Sequence, residues 1–293
     1  MKAKRIIALF VIFSLMMLIL SCETLGSVIP AGSTIAKGLE LASTLVKAFE
    51  EITPEQEYYI GRAVGANILS AYKLQTNKPV LTSYLNKICG ALIINSPRPE
   101  IFNGYHVSML DSNEINAFAT PGGHIFVTRG LVNCAASEDA LASVIAHEIA
   151  HIQLQHGLKA IKSSRKAAAF SSSLSLASEI TAKDSRFSEL VGSFSDGVNE
   201  IVTNMMTKGY SRTQEFEADS TALQLLSMAG YKPSSLLDIL QILAQKQSSQ
   251  PGGFNSTHPT PAQRIENLQK KVGSYYVPDT SSFRNARFKA STI

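Results

Sequence analysis

Beyond residue 22 the sequence has no apolar stretch long enough to cross a bilayer, which takes about 20 residues. A bundle of membrane-spanning helices is therefore excluded from that region. Charge is sparse, at 17% of 293 residues, and the formal excess of +4 is concentrated at one end. Lys2, Lys4 and Arg5 precede the first acidic residue, Glu23, so the chain without residues 1–21 carries only +1. A near-neutral body gives no electrostatic footprint for nucleic acid. Cysteine is scarce too: Cys22, Cys89 and Cys134 have nothing like a zinc-knuckle spacing. There is no internal repeat and no low-complexity tail, and with 45% hydrophobic residues the composition is that of a globular chain.

The N-terminus reads as an export signal. The basic start leads into an apolar run from Ile6 to Leu20, broken only by Ser14 and too short for a comfortable span. Ser21-Cys22 follows, and a small residue directly before a cysteine there resembles the bacterial lipoprotein signal. Lipid on Cys22 would tether the protein to a membrane, with the rest in the aqueous space outside the cytoplasm. An uncleaved anchor is the alternative. Export would place Cys89 and Cys134 where a disulfide can form, with two separate buried thiols as the other reading. The expected organisation is a signal peptide over 1–21, a tether and short helix over 22–52, one main domain over 53–272 and a loosely ordered tail over 273–293.

Within the domain, Thr53-Pro54-Glu55 predicts the start of a helix reaching about Leu74. A second helix is expected over about 80–95. Tyr105–Leu110 and His124–Thr128 read as strands, with a Gly122-Gly123 turn before the second. Ser137, followed by Glu138 and Asp139, caps a helix expected to stop at Gly157. Residues 158–209 are Ala- and Ser-rich, read as two helices, and their basic cluster of Lys159, Lys162, Arg165 and Lys166 as a solvated face. Ser211 and Gln214 have capping-box spacing for a helix that ends at Gly230. Two more helices are expected over about 235–247 and 261–272.

The decisive motif is His147-Glu148-Ile149-Ala150-His151. Residues four apart share a helix face, so both imidazoles can reach one ion. Zinc suits imidazole nitrogen, and three protein ligands leave a position for water. Apolar neighbours from Val144 to Ile152 bury this helix, and a buried Glu148 is costly without a cation nearby. Glu215 and Asp219 repeat the four-residue spacing on a face shared with Ala222, Leu223 and Leu226. Two carboxylates on a core-facing side are anomalous for packing alone. Glu215 is the expected third ligand of one zinc ion per chain. Asp219 is the expected acceptor for the far ring N–H of His147. Glu148 is the expected general base towards a zinc-activated water.

These motifs resemble metallopeptidase family 48, the HtpX and CAAX-prenyl-protease group, and within it the exported, BepA-like bacterial branch. The resemblance rests on Asn116-Ala117-Phe118-Ala119-Thr120-Pro121-Gly122-Gly123-His124-Ile125-Phe126-Val127, then the histidine motif, then Glu215-Phe216-Glu217-Ala218-Asp219, then His258-Pro259 with Arg264-Ile265. It implies an α+β, mainly helical zincin of the gluzincin type, with a small sheet beside the motif helix. It also implies that the segment after Asn116 borders the cleft. Asn116, Ala117, Gly123, His124 and Ile125 are therefore candidate substrate-binding residues, with the strand from His124 expected to pair with an extended peptide. His258, Arg264 and Tyr210 are candidate donors to the developing oxyanion, and His258 is alternatively a cap on the zinc that keeps the site latent. His106, His124 and His156 read as structural or exposed. The expected function is an endopeptidase acting on misfolded or misassembled envelope proteins, lipid-anchored on the periplasmic side of the inner or outer membrane. A non-cleaving zinc-stabilised binding lipoprotein and a narrow-specificity processing peptidase are the alternatives. No repeat-based docking surface is expected, and oligomeric state is left open.

Overall fold

Two helix starts share one device. Thr53 Oγ1 accepts from the Gln56 N–H while Gln56 Oε1 accepts from the Thr53 N–H, opening helix α1 (Pro54–Ala71) with a full capping box. The structure, a computed structural model, describes residues 51–159, 162, 198–246, 253–258 and 261–292, all within one compact unit. The leader with Cys22, the tether, Arg165, Lys166, Pro259 and most of the two helices expected over 158–209 lie outside the described residues.

Ile60, Val64 and Ile68 of α1 recur every four residues and are buried. Gly61 and Gly65 lie on the same side and let α1 settle onto the chain beneath. A Cβ on Gly61 would sit 1.7 Å from the Pro121 carbonyl oxygen, so only glycine fits there. Buried Glu57, in the first turn, receives Arg98 Nη2 at 2.6 Å and Gln155 Nε2 at 3.2 Å, and accepts the Gly122 N–H. Helix α2 (Pro79–Ile93) follows, then strand β1 (His106–Leu110), strand β2 (Ala117–Ala119), a 3-10 turn (Pro121–Gly123) and strand β3 (His124–Thr128).

The sheet order is β1-β3-β2, with β1 parallel and β2 antiparallel to β3. Side chains alternate across it. Val107, Met109, Ala117, Ala119, Ile125 and Val127 face one core cluster; Leu110, Phe118 and Phe126 face a second, shared with α1. This topology corrects the expectation that a peptide would pair with the strand from His124. β3 is the central strand, and both its edges are already used. β1 and β2 are the edge strands, and β2, three buried residues long, is too short to stand out in the sequence.

Helix α3 (Arg129–Cys134) is capped by Thr128, and α4 (Glu138–Gln153) by Ser137. Every residue of α4 from Glu138 to Ile152 is buried. The first core cluster surrounds it with α2, with α5 (Arg212–Met228), which opens on the Ser211–Gln214 capping box, with α6 (Ser235–Lys246) and with α8 (Pro261–Lys271). Between α6 and α8 lies the single turn α7 (Phe254–Thr257). None of the described helices is long and apolar enough to cross a membrane.

Three further expectations change. α4 stops at Gln153 rather than Gly157, because Gln155 turns left-handed at φ 53°. Gly157 instead packs in the next turn, where a Cβ would meet Pro121 at 3.2 Å. The C-terminal segment is not a loose tail. Helix α9 (Ser281–Thr292) packs on α4, with Arg284 Nε 2.8 Å from Asp139 Oδ2 and Arg287 forked onto Glu138. Cys89 and Cys134 are both free thiols, and burial pushes the Cys89 thiol up to about 12.

Candidate metal centre

α4 presents His147, Glu148 and His151 on consecutive turns; α5 crosses it with Glu215 and Asp219; the end of α7 brings in His258, and α8 brings Arg264. All seven side chains are buried. His147 Nε2 lies 3.1 Å from His151 Nε2 and 3.4 Å from Glu215 Oε2, and His151 Nε2 lies 3.6 Å from Glu215 Oε1. His258 Nδ1 adds a fourth corner, 3.3 Å from His147 Nε2 and 3.2 Å from Glu215 Oε1. Metal bonds of about 2.0–2.1 Å put the corners of a tetrahedron roughly 3.3 Å apart, which is the spacing of this cluster.

Ring orientation agrees. His147 Nδ1 lies 3.1 Å from Asp219 Oδ1, an acceptor, so its Nε2 carries the lone pair that faces the cluster. Glu215 Oε2 has no hydrogen-bond partner. It meets Arg264 Nη1 at 2.9 Å as an ion pair, off the line of a hydrogen bond.

Charge gives an independent test of whether a cation fits. Among the described residues six carboxylates are buried: Glu57, Glu138, Asp139, Glu148, Glu215 and Asp219. The first three each have an arginine of their own, Arg98, Arg287 and Arg284. Glu148, Glu215 and Asp219 share only Arg264, which holds Asp219 through Nε at 2.9 Å and Nη2 at 2.7 Å. With the histidines neutral, as metal ligands are, and Glu148 ionised, three carboxylates against one guanidinium leave two negative charges, the amount a divalent metal ion neutralises.

The titration behaviour follows from the same crowding. Burial raises the Glu215 carboxyl, but Arg264 and then His258 overcome it and hold it well below the carboxylate range. Burial likewise opposes ionisation of Asp219, and Arg264 reverses the balance. Burial and Arg264 resist charging of His147, while Asp219 and Glu215 outweigh them and lift it to about 9. His151 is pushed far down, by burial and then by His147. Glu148 lies outside the ligand set: burial raises its carboxyl, and His258 and His147 offset that only in part. Its Oε1 has no hydrogen bond, and His258 Nε2 is 3.4 Å away.

The structure brings together His147, Glu148, His151, Glu215, Asp219, His258 and Arg264. Of the candidate substrate-binding residues it places Asn116 and Ala117 beside the site. Asn116 Oδ1 accepts the Ala117 N–H at 2.9 Å and the Thr257 hydroxyl at 3.0 Å, tying the end of β2 to the turn that carries His258. Gly123 and His124 lie at the opposite end of β3, against Gly104, His106 and Tyr58, and Ile125 is in the core. Three neighbours were not assigned there from the sequence. Phe254 stacks on His258 at 4.4 Å. His156, read as structural or exposed, is buried with its Nδ1 2.9 Å from His151 Nδ1. Glu217 reaches His156 Nε2 at 3.1 Å. A histidine five residues past His151 is off the helix face, so no periodicity points to it; the break at Gln155 turns it back.

The profile of peptidase family M48 matches residues 79–272, a stretch that holds every residue of the cluster. The chain belongs to peptidase family M48. Metallopeptidases of this family are metal-dependent. The beta-barrel assembly-enhancing protease of Escherichia coli K12 is 26% identical over 262 residues, covering 87% of this chain and 51% of that protein. A putative beta-barrel assembly-enhancing protease of Vibrio cholerae is 28% identical over 244 residues, covering 81% and 48%. The mitochondrial metalloendopeptidase OMA1 of Schizosaccharomyces pombe is 25% identical over 228 residues, covering 76% and 63%. The chain thus spans about half the length of the bacterial relatives it matches.

Proposed function

We propose that this M48 chain is a zinc-dependent endopeptidase of the bacterial envelope, lipid-anchored through Cys22, that hydrolyses misfolded or misassembled envelope proteins. The observation that carries the catalytic reading is the buried four-cornered cluster with the Glu148 carboxylate beside it, its Oε1 in no hydrogen bond. Imidazole nitrogens with one carboxylate are donors that suit zinc. His147, His151 and Glu215 would hold the ion, which when bound polarises a carbonyl and lowers the pKa of water.

Glu148 is the proton acceptor in this reading. Burial raises its basicity, which suits a group that takes a proton from water. It then returns the proton to the leaving amine. Tyr210, stacked on His151 at 4.2 Å with its buried hydroxyl lacking a partner, supplies a donor for the developing oxyanion. Arg264 holds Asp219 and Glu215 instead of facing substrate.

The test is cleavage of unfolded casein by zinc-loaded protein lacking residues 1–22, beside its Glu148→Gln variant. Cleavage by the parent alone supports the peptidase. Cleavage by neither, with zinc in both, supports the non-cleaving binding protein; cleavage of one envelope protein but not casein supports narrow processing. The envelope location draws on the leader and on the names of the bacterial relatives. Replacing residues 1–22 by a cleavable non-lipoprotein signal is expected to release the protein from the membrane fraction; retention there would mean that another anchor exists.

A latent form is favoured by a specific observation. His258 Nδ1 occupies the fourth corner of the cluster, where water would otherwise sit. His258→Ala is expected to raise casein cleavage several-fold at equal zinc content. A fall in rate would assign His258 to the oxyanion instead.

A further inference from the structure

His151 has two ring nitrogens, and the cluster uses only Nε2. The other, Nδ1, faces His156 Nδ1 at 2.9 Å in a buried contact. One proton serves that pair. At the far side of His156, Nε2 lies 3.1 Å from Glu217 Oε2. An ionised carboxylate only accepts, so the proton of a neutral His156 belongs on Nε2. His156 Nδ1 is then a lone pair, and His151 must donate Nδ1–H to it. That leaves the lone pair of His151 on Nε2, directed at His147 and Glu215. Were the polarity reversed, His151 would present N–H to the cluster and could not ligate. Lys159 Nζ, 3.4 Å from the same Glu217 oxygen, shares that carboxylate's charge and weakens its pull for a second proton on His156.

We propose that His156 and Glu217 are positioning residues that fix the tautomer and tilt of His151 as a metal ligand, along the chain His151 to His156 to Glu217. The other ligand ring leans on a carboxylate, Asp219; this one leans on a neutral imidazole with the carboxylate one step further out. The inference rests on the metallopeptidase reading only in that a metal binds His151. Its test reads metal affinity, so loss of cleavage by itself does not touch it.

Zinc affinity of the full chain would be measured by competition with a chromophoric chelator. Cobalt would be substituted in parallel to follow the visible ligand-field bands. His156→Ala is expected to weaken zinc binding about 10–100-fold, the usual effect of removing a partner behind a ligand. His156→Gln, whose carbonyl can accept the same N–H, is expected to recover most of that loss. Both should shift the cobalt bands. Glu217 is half-exposed. Its replacement by Ala therefore leaves the core intact and serves as a second variant should His156→Ala fail to fold. A several-fold loss of zinc affinity is expected from Glu217→Ala. Parental zinc affinity and unshifted cobalt bands in Glu217→Ala and the folded His156 variants would overturn the proposal. So would a parent that binds no zinc. Weakened zinc binding in a protein that cleaves nothing would leave this inference standing and remove the peptidase.

Discussion

Glu148→Gln is expected to lower the rate of casein cleavage by about 10²–10⁴-fold, the usual contribution of a general base. The zinc should stay. Glu148 is not among the four residues whose donor atoms converge. Gln has the same shape, so the packing around α4 is kept, and only the ability to take a proton is lost. Metal content and turnover measured on one preparation check both halves. A variant that loses its zinc with its activity would instead place Glu148 among the ligands. A variant that keeps its activity would remove it from the chemistry.

Arg264→Met carries the second large effect, on stability. The guanidinium is fully buried and, among the described residues, is the only arginine paired with Asp219 and Glu215. Removing one partner from a buried ion pair costs about 3–5 kcal/mol, because the remaining charges stay unpaired. In a domain of this size that corresponds to roughly a 10 °C drop in the melting temperature of the metal-free protein. Arg264→Lys is expected to recover little, since a single ammonium cannot fork across Asp219 while touching Glu215. Bound zinc should recover part of the loss by supplying positive charge to the same carboxylates. A melting temperature within 2 °C of the parent would show that the pairs contribute nothing to the fold.

How far the sequence was legible follows from the range of the interactions. Thr53, Ser137 and Ser211 act on the residues just after them, so the starts of α1, α4 and α5 were readable. His147 with His151, and Glu215 with Asp219, are pairs within one helix and obey its period. β3 as a central strand was not readable, because pairing order depends on where β1 and β2 lie, and a three-residue strand carries little pattern. His156 needed the left-handed Gln155, a backbone choice that no side-chain pattern announces. α9 reads as a loosely ordered tail in the sequence because its arginines find their acids 145 and 149 residues back along the chain.

Those last distances bear on when the metal can be taken up. Glu138 and Asp139 open the helix that carries both ligand histidines, and the arginines that neutralise them lie 149 and 145 residues further along the chain. Until Arg287 has emerged, the first turn of α4 holds two acids with no cation to bury them beside, and the helix has no stable seat in the core. Glu215 and His258 also arrive long after His147. The ligand set is therefore complete only once the stretch from Glu138 to Arg287 has been made and folded together. Metal acquisition belongs to the compartment in which the chain completes its folding, and the ion supplied there decides which metal the site receives.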